Sequence, residues 1–357
     1  MGLERAAFGV LPDGMSVEAI TLTNERGMDV RLITYGAGIQ ALRVPDREGC
    51  LGDVALGHAS LAAYLDHPQY LGSTVGRFAN RIAAGRFRLD GDDYQVPIND
   101  GDNALHGGPG GFDKANWEIA RMDDGPTPGV TLRHVSPDGD QGFPGTLTVT
   151  AAYRLHADNS LSVDYRAVTD RPTIVGLSNH AYWNLSGEGR AESAMDHLLT
   201  IHGDTFLPTD AGAIPTGEFR PVAGTPFDFR TPARIGGRVR DARDDQIRLG
   251  RGYDHNWVIG RELADGARPV ARLADPASGR VMDLLSNQPG LQFYSGNFLD
   301  GTTIGKSNGC YRMGDGVALE PQLFPDTPNR PAFGSARLAP GDIYRNVIVW
   351  RFSTDRS

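Results

Sequence analysis

The chain has 357 residues, 39% of them apolar, with 35 Lys and Arg set against 44 Asp and Glu for a net charge of −9. No apolar run approaches the ~18 residues that a membrane span requires, and no long basic run offers a surface to nucleic acid or an anionic membrane. A soluble protein acting on a small neutral ligand is the class left standing.

The first residues, "MGLERAAFGVLPDG", place acid and base at Glu4 and Arg5 and contain no long apolar block, so they do not read as a secretory signal. The lipidation pattern fails because position 6 is Ala6. A cytoplasmic location is expected. Cys50 and Cys310 are the two cysteines, without a C-x-x-C pattern, which points to neither a disulfide framework nor a zinc knuckle.

Along the chain, helical periodicity is scarce. "SLAAYLDH" from Ser60 predicts a helix of one or two turns behind a serine N-cap. "RFRLDGDDYQV" predicts a hairpin with its turn at Asp90 and Gly91. "TLTVTAAYRL" puts Leu147, Val149, Ala151, Tyr153 and Leu155 on one face, and "LSVDYRAV" does the same with Leu161, Val163, Tyr165 and Ala167, with "HADNS" as the turn between them. "YRNVIVWRF" closes the chain as a further strand. Forty-six glycines and 23 prolines are spread throughout with no linker or repeat, which suits many strands joined by many turns. The expected fold is all-β, a single large antiparallel β-sandwich with few short helices, and residues 1–357 are expected to form one domain.

Two glycine-rich stretches are decoys. "GGPGG" at 107–111 is too broken by proline for a dinucleotide fingerprint, and "GTTIGKSNG" fails as a phosphate loop because Gly301 lies four rather than five residues before Gly305. No H-E-x-x-H or G-x-S-x-G occurs.

Polar residues inside apolar strands carry more information. "GLSNHAYWNLSG" sets Asn179 and His180 among aromatic residues, "GYDHNWVIG" carries Asp254, His255 and Asn256 before Trp257, and "LQFYSGNFLDG" embeds Gln292 between Leu291 and Phe293. "GVALEPQLFPD" plants Glu320 in an apolar strand, where an unpartnered charge costs several kcal/mol to bury. Alternation pairs Glu320 with Gln322 and His180 with Tyr182, and it forbids Asp254 and His255 from entering one pocket. His106 in "NALHGG", with Asn80 and Arg81 in "GRFANRIAAGRF", extends the set. Singly, each histidine fits a hydrogen-bonded structural role; together the residues make a poor core and a good lining for a polyhydroxylated ligand.

"GRFANRI", "NALHGG", "SPDGDQGFPG", "SNHAYWNL", "IPTGEFRPVAGTPFDFR", "YDHNWV", "LQFYSGNFLDG" and "LEPQLFPDTPN", in this order, resemble the aldose 1-epimerases, or galactose mutarotases, from about Thr21 to Phe352. The resemblance implies a galactose mutarotase-like supersandwich that interconverts the α and β anomers of free aldoses such as D-galactose and D-glucose. It implies Glu320 as general base and His180 as general acid. His106, Asn80, Arg81, Asp254 and Gln292 match family positions that contact the sugar. No cofactor or metal is implied, and the expected partner is a monosaccharide bound by a monomer or homodimer. The chain departs from the family at Gly314, where a histidine is frequent, at Ala318, where a cysteine is frequent, and in "LEPQ" for the commoner "LETQ". Trp183 and Tyr294 offer aromatic faces for sugar C–H groups, although core packing is the more frequent use of such rings. Two alternatives stay open: a non-catalytic sugar-binding paralogue, and a metal-dependent β-sandwich enzyme using His106, His180 and Asp254 or His255.

Overall fold

The computed structural model describes residues 2–355. Three antiparallel sheets dominate. The largest has nine strands in the spatial order Glu118–Asp123, Gly129–Ser136, Leu147–Leu155, Ser160–Thr169, Tyr344–Thr354, Arg280–Ser286, Arg268–Ala274, Leu198–Ile201 and Ala233–Arg234. The chain's final strand therefore sits in its middle, zipped between Ser160–Thr169 and Arg280–Ser286. A six-stranded sheet runs Tyr182–Trp183, Val317–Gln322, Gly290–Tyr294, Asp254–Val258, Thr205–Leu207 and Arg220–Pro221. The third is a five-stranded meander from Gly2–Val10 to Leu51–Asp53.

The alternation expected from the sequence is present in the strands. Leu147, Val149, Ala151, Tyr153 and Leu155 are all buried, and their strand pairs with Ser160–Thr169 from Leu147 opposite Thr169 to Leu155 opposite Leu161. The Arg86–Leu89 and Asp92–Gln95 strands form the second hairpin. Asp90 and Gly91 both take positive φ in its turn, the conformation a two-residue type I′ turn demands. The Leu61–Asp66 helix begins at Ser60, whose hydroxyl accepts from the Ala63 amide. The structure adds a second short helix, Asp245–Gly250, capped by Asp244.

The six-stranded sheet divides its side chains cleanly. Trp183, Trp257, Leu291, Phe293, Val317 and Leu319 point inward, into one apolar cluster with Val149, Tyr165, Leu284 and Trp350 of the nine-stranded sheet. The Trp183 and Trp350 rings meet at 5.8 Å between centroids. Burying each such side chain contributes ~1.5–3 kcal/mol, so this face fixes the register of every strand in the sheet. With the period of two locked, Tyr182, Asp254, Asn256, Gln292, Tyr294, Ala318, Glu320 and Gln322 share the opposite face. Glu320 is therefore held in place by the apolar residues on either side of it. Trp183 belongs to the core and not to any ligand surface, whereas Tyr294 lies on the polar face.

Candidate active site

Loops from the rest of the chain close over that polar face and leave a cavity of about 200 Å³, with room for a sugar ring. Glu320, Asp254, Tyr182 and Tyr294 come from the sheet. Arg81 from the short strand Arg81–Ile82, His106 just after Ala104–Leu105, and His180 between Ser178–Asn179 and Tyr182–Trp183 complete the cavity with Asn80, Tyr70 and Asp100. Of the seven residues singled out in the sequence, six line it. Gln292 does not: its amide donates to Asp254 Oδ1 at 2.7 Å and accepts from Asn256 Nδ2 at 3.3 Å, so it orients Asp254 from beside the cavity.

His255 faces away, as alternation requires. It is buried against Phe227 and shares a hydrogen with Gln246 Oε1 at 3.1 Å. Gln322 lies on the Glu320 face but outside the cavity, its amide turned to the Leu323 carbonyl. Asn179 is structural, with Nδ2 donating to the Gly72 carbonyl and Oδ1 accepting from the Ala181 amide. The backbone of His180 is pinned on both sides, its N–H to Ser73 O at 2.8 Å and its carbonyl by Gly72 N at 3.0 Å.

Glu320 and His180 face each other, with Oε1 3.6 Å from Nε2. Both are buried, and neither Glu320 Oε2 nor His180 Nδ1 has a partner among the described residues. Burial pushes the Glu320 carboxyl well above its ordinary range, the negative charge of Asp254 adds to the rise, and Arg81 opposes it. Burial likewise lowers His180 to about 4. These opposite shifts mean that a proton held by the pair resides on the carboxyl rather than on the imidazole. Moving that proton to the imidazole gives an ionised base beside a protonated acid, without any change in proton count.

Asn80 and His106 form a locked unit. Both have left-handed backbones, with φ of 64° and 53°. The Asn80 N–H donates to His106 Nδ1 at 3.0 Å, and the His106 N–H returns a bond to the Asn80 carbonyl at 3.0 Å. Because Nδ1 accepts, the hydrogen of the neutral ring resides on Nε2. Burial, with His180, Arg81 and Lys114 nearby, keeps this imidazole neutral by lowering its pKa well below the usual value. Asn80 Oδ1 accepts the Arg81 N–H, so Nδ2 is the group it can offer a ligand.

Arg81 donates to Asp100 Oδ2 at 2.7 Å and approaches Asp254 Oδ2 at 3.8 Å. Burial works against its charge, but the two carboxylates outweigh that and hold its pKa above the ordinary value. Burial pushes the Asp254 carboxyl up, against the pull of Arg81 and the bond from Gln292. Sequence reasoning missed Asp100 and Tyr70. The Tyr70 ring lies 4.7 Å from His106 and 5.6 Å from His180 between centroids, walling both imidazoles.

His106, His180 and Glu320 bring one potential ligand atom each within 4.8 Å of one another, an arrangement a divalent metal would recognise. His106 fits that use badly. Its cavity-facing nitrogen already bears the hydrogen, and shifting the hydrogen to Nδ1 would set it against the Asn80 N–H. What the three residues offer is one fixed donor and one proton-exchanging pair.

The departures from the family pattern are explained in part. Gly314 has φ +89°, and a Cβ there would lie 2.7 Å from Met195 Cγ, so a histidine does not fit the local backbone. Ala318 sits directly opposite both Tyr182 and Tyr294 on the polar face.

The sequence profile described as aldose 1-epimerase matches residues 18–351. Galactose mutarotase of Mus musculus is 42% identical over 354 residues, covering 99% of each chain. Aldose 1-epimerase of Escherichia coli (strain K12) is 39% identical over 343 residues, covering 96% of each. Among solved structures, galactose 1-epimerase from Lactobacillus acidophilus NCFM superposes with a TM-score of 0.87 at 32% identity, over 99% of each chain. The aldose epimerase homologue of C. elegans gives 0.85 at 31% identity, over 95% of this chain and 99% of that one.

Proposed function

Because this chain belongs to the aldose 1-epimerase family, we propose that Glu320 removes the proton from the C1 hydroxyl of an aldose while His180 delivers one to the ring oxygen. The protein is an isomerase, a mutarotase that interconverts α and β anomers. The C1–O5 bond opens to the aldehyde, C1 rotates, and closure on the other face returns both protons. No bond between carbons breaks and no electrons are gained or lost.

The observation that carries these roles is the 3.6 Å approach of two buried groups with opposite proton affinities. A sugar supplies what the pair lacks. Its hydroxyl donates to the unpartnered Glu320 carboxylate, and its ring oxygen accepts from His180. Both bonds favour the ionised tautomer of the pair. His106, with its hydrogen fixed on Nε2, steadies the ring-oxygen side as a donor that never charges. Arg81, Asp254 and the Asn80 amide hold the remaining hydroxyls, with Gln292 acting through Asp254. D-Galactose and D-glucose are the aldoses proposed, and a cytoplasmic location suits Cys50 and Cys310, both exposed and unpaired.

Polarimetry of α-D-galactose and α-D-glucose tests the assignment. Glu320→Gln keeps the shape of the site and should lower kcat by ~100- to 10,000-fold, the usual range for one positioned acid or base, with KM little changed. An unaltered kcat would remove Glu320 from the chemistry. Sugar binding without turnover by the wild-type protein would favour the non-catalytic reading.

A further inference from the structure

The charges lining the cavity do not balance. Asp100, Asp254 and Glu320 bring three carboxyl groups, and even with the proton of the Glu320–His180 pair counted, the carboxylates outnumber Arg81, the one guanidinium or ammonium among the described lining residues. That guanidinium is engaged by Asp100 and Asp254. Lys114, behind Tyr70 at 5.5 Å from its ring centroid, is matched by Asp113 at 2.9 Å and adds no net charge. Both cavity histidines are disfavoured as cations by burial. Glu320 is left 1% exposed, with Oε2 unpartnered, and its one ion-pair contact among the described residues is the His180 imidazole at 3.6 Å, which is positive only when it takes the pair's proton.

A buried carboxylate in that position is stabilised by any cation the ligand brings. The position of such a cation follows from the proposed roles, on which this inference rests. If the C1 hydroxyl meets Glu320, the substituent on C2 is the nearest other group on the ring to the same carboxylate. We propose that the cavity also binds and equilibrates 2-amino-2-deoxyaldoses in their ammonium form, with the C2 ammonium against Glu320, and disfavours aldoses that carry a carboxylate or phosphate. The bonds made and broken are those of the parent reaction: the C1 hydroxyl proton passes to Glu320, the ring oxygen takes one from His180, and the amine keeps its own throughout. An ammonium beside Glu320 keeps the carboxylate ionised but makes it a weaker base. The gain therefore belongs in KM and not in kcat.

The test compares galactose, galactosamine, N-acetylgalactosamine and galacturonate by NMR-detected mutarotation at low ionic strength. At about pH 6, where an amine of this kind is charged, galactosamine should show a KM on the order of 5-fold below that of galactose, and galacturonate one on the order of 10-fold above. The galactosamine advantage should shrink in ~0.5 M salt and vanish at about pH 9, measured each time against galactose under the same conditions. Asp254→Asn should reduce the ratio of the two KM values, whatever it does to the activity itself. Equal KM values for galactosamine and galactose, a preference for galacturonate, or exclusion of both the amine and the acetamide would each overturn the inference while leaving the mutarotase reading intact. Failure to turn over galactose would bring down both.

Discussion

The Asn80 N–H meets Nδ1 of His106 at 3.0 Å, and this bond separates the work of two histidines that share one cavity. His180, its ring centroid 5.2 Å from that of His106, has an Nδ1 with no partner among the described residues. His106 is thus committed to one tautomer by the backbone, while His180 is free to gain and lose a proton. A cavity that needs a constant donor and a reversible acid obtains both from the same side-chain type.

That difference is visible to nitrogen NMR of the imidazoles. His106 should show the Nε2–H tautomer and no titration over the pH range in which the protein stays folded. Addition of galactose should leave its tautomer unchanged and should shift the signals of His180 toward the protonated form. A His106 ring that titrates near ~6.5, the value of an unperturbed histidine, would mean that the Asn80 bond does not set its state.

Stability should depend on pH in two opposing ways. Burial lowers His180 to about 4, His197 to about 4 and His255 to about 3. The unfolded chain, with histidines near ~6.5, then binds more protons than the folded one in between. Their contribution is complete above ~6.5 and is lost as the pH falls toward the folded values. Glu320 behaves in the other sense. Its raised pKa favours the folded state below the ordinary carboxylate range and loses that contribution as the pH rises through the folded value. Denaturant unfolding between pH 4 and 8 should therefore show wild-type stability falling on acidification below ~6.5. Glu320→Gln should gain on the wild type as the pH rises. A variant less stable than the wild type at pH 8 would contradict the picture of a strained, unpartnered carboxylate.

How much of this was legible in the sequence follows from which forces act locally. Alternation is a local property, so the inward row of Trp257, Phe293 and Leu319 and the outward row of Asp254, Gln292 and Glu320 could be read from it directly. Alternation names a face but not the extent of a cavity on it, which is why Gln292 and Gln322 shared a face with the site and yet do not line it. Asp100 and Tyr70 lay beyond local reasoning. Asp100 is brought to Arg81 by a turn 19 residues away in sequence, and Tyr70 depends on a left-handed backbone at φ +59° that a bulky aromatic residue rarely adopts. The first strand, Gly2–Val10, was equally silent. It is an edge strand with no buried face, so nothing in its composition alternates.

The departure at Gly314 supplies a last prediction, because fold and site respond to it differently. The residue takes φ +89°, a conformation that L side chains seldom adopt. Its virtual Cβ lies 2.7 Å from Met195 Cγ and 3.1 Å from Ser193 Oγ, which itself donates to the Gly314 carbonyl. Restoring the family's histidine by Gly314→His should cost on the order of 1–3 kcal/mol in backbone strain, read as a lower denaturant midpoint with an unchanged slope. Gly314 does not line the cavity, so KM for galactose should stay within about 2-fold of the wild type, as expected for sites without shared contacts. A histidine that leaves stability intact and shifts KM would show that the segment before Glu320 reaches the sugar after all, and the lining described by Glu320, Tyr182 and Tyr294 would need a further member.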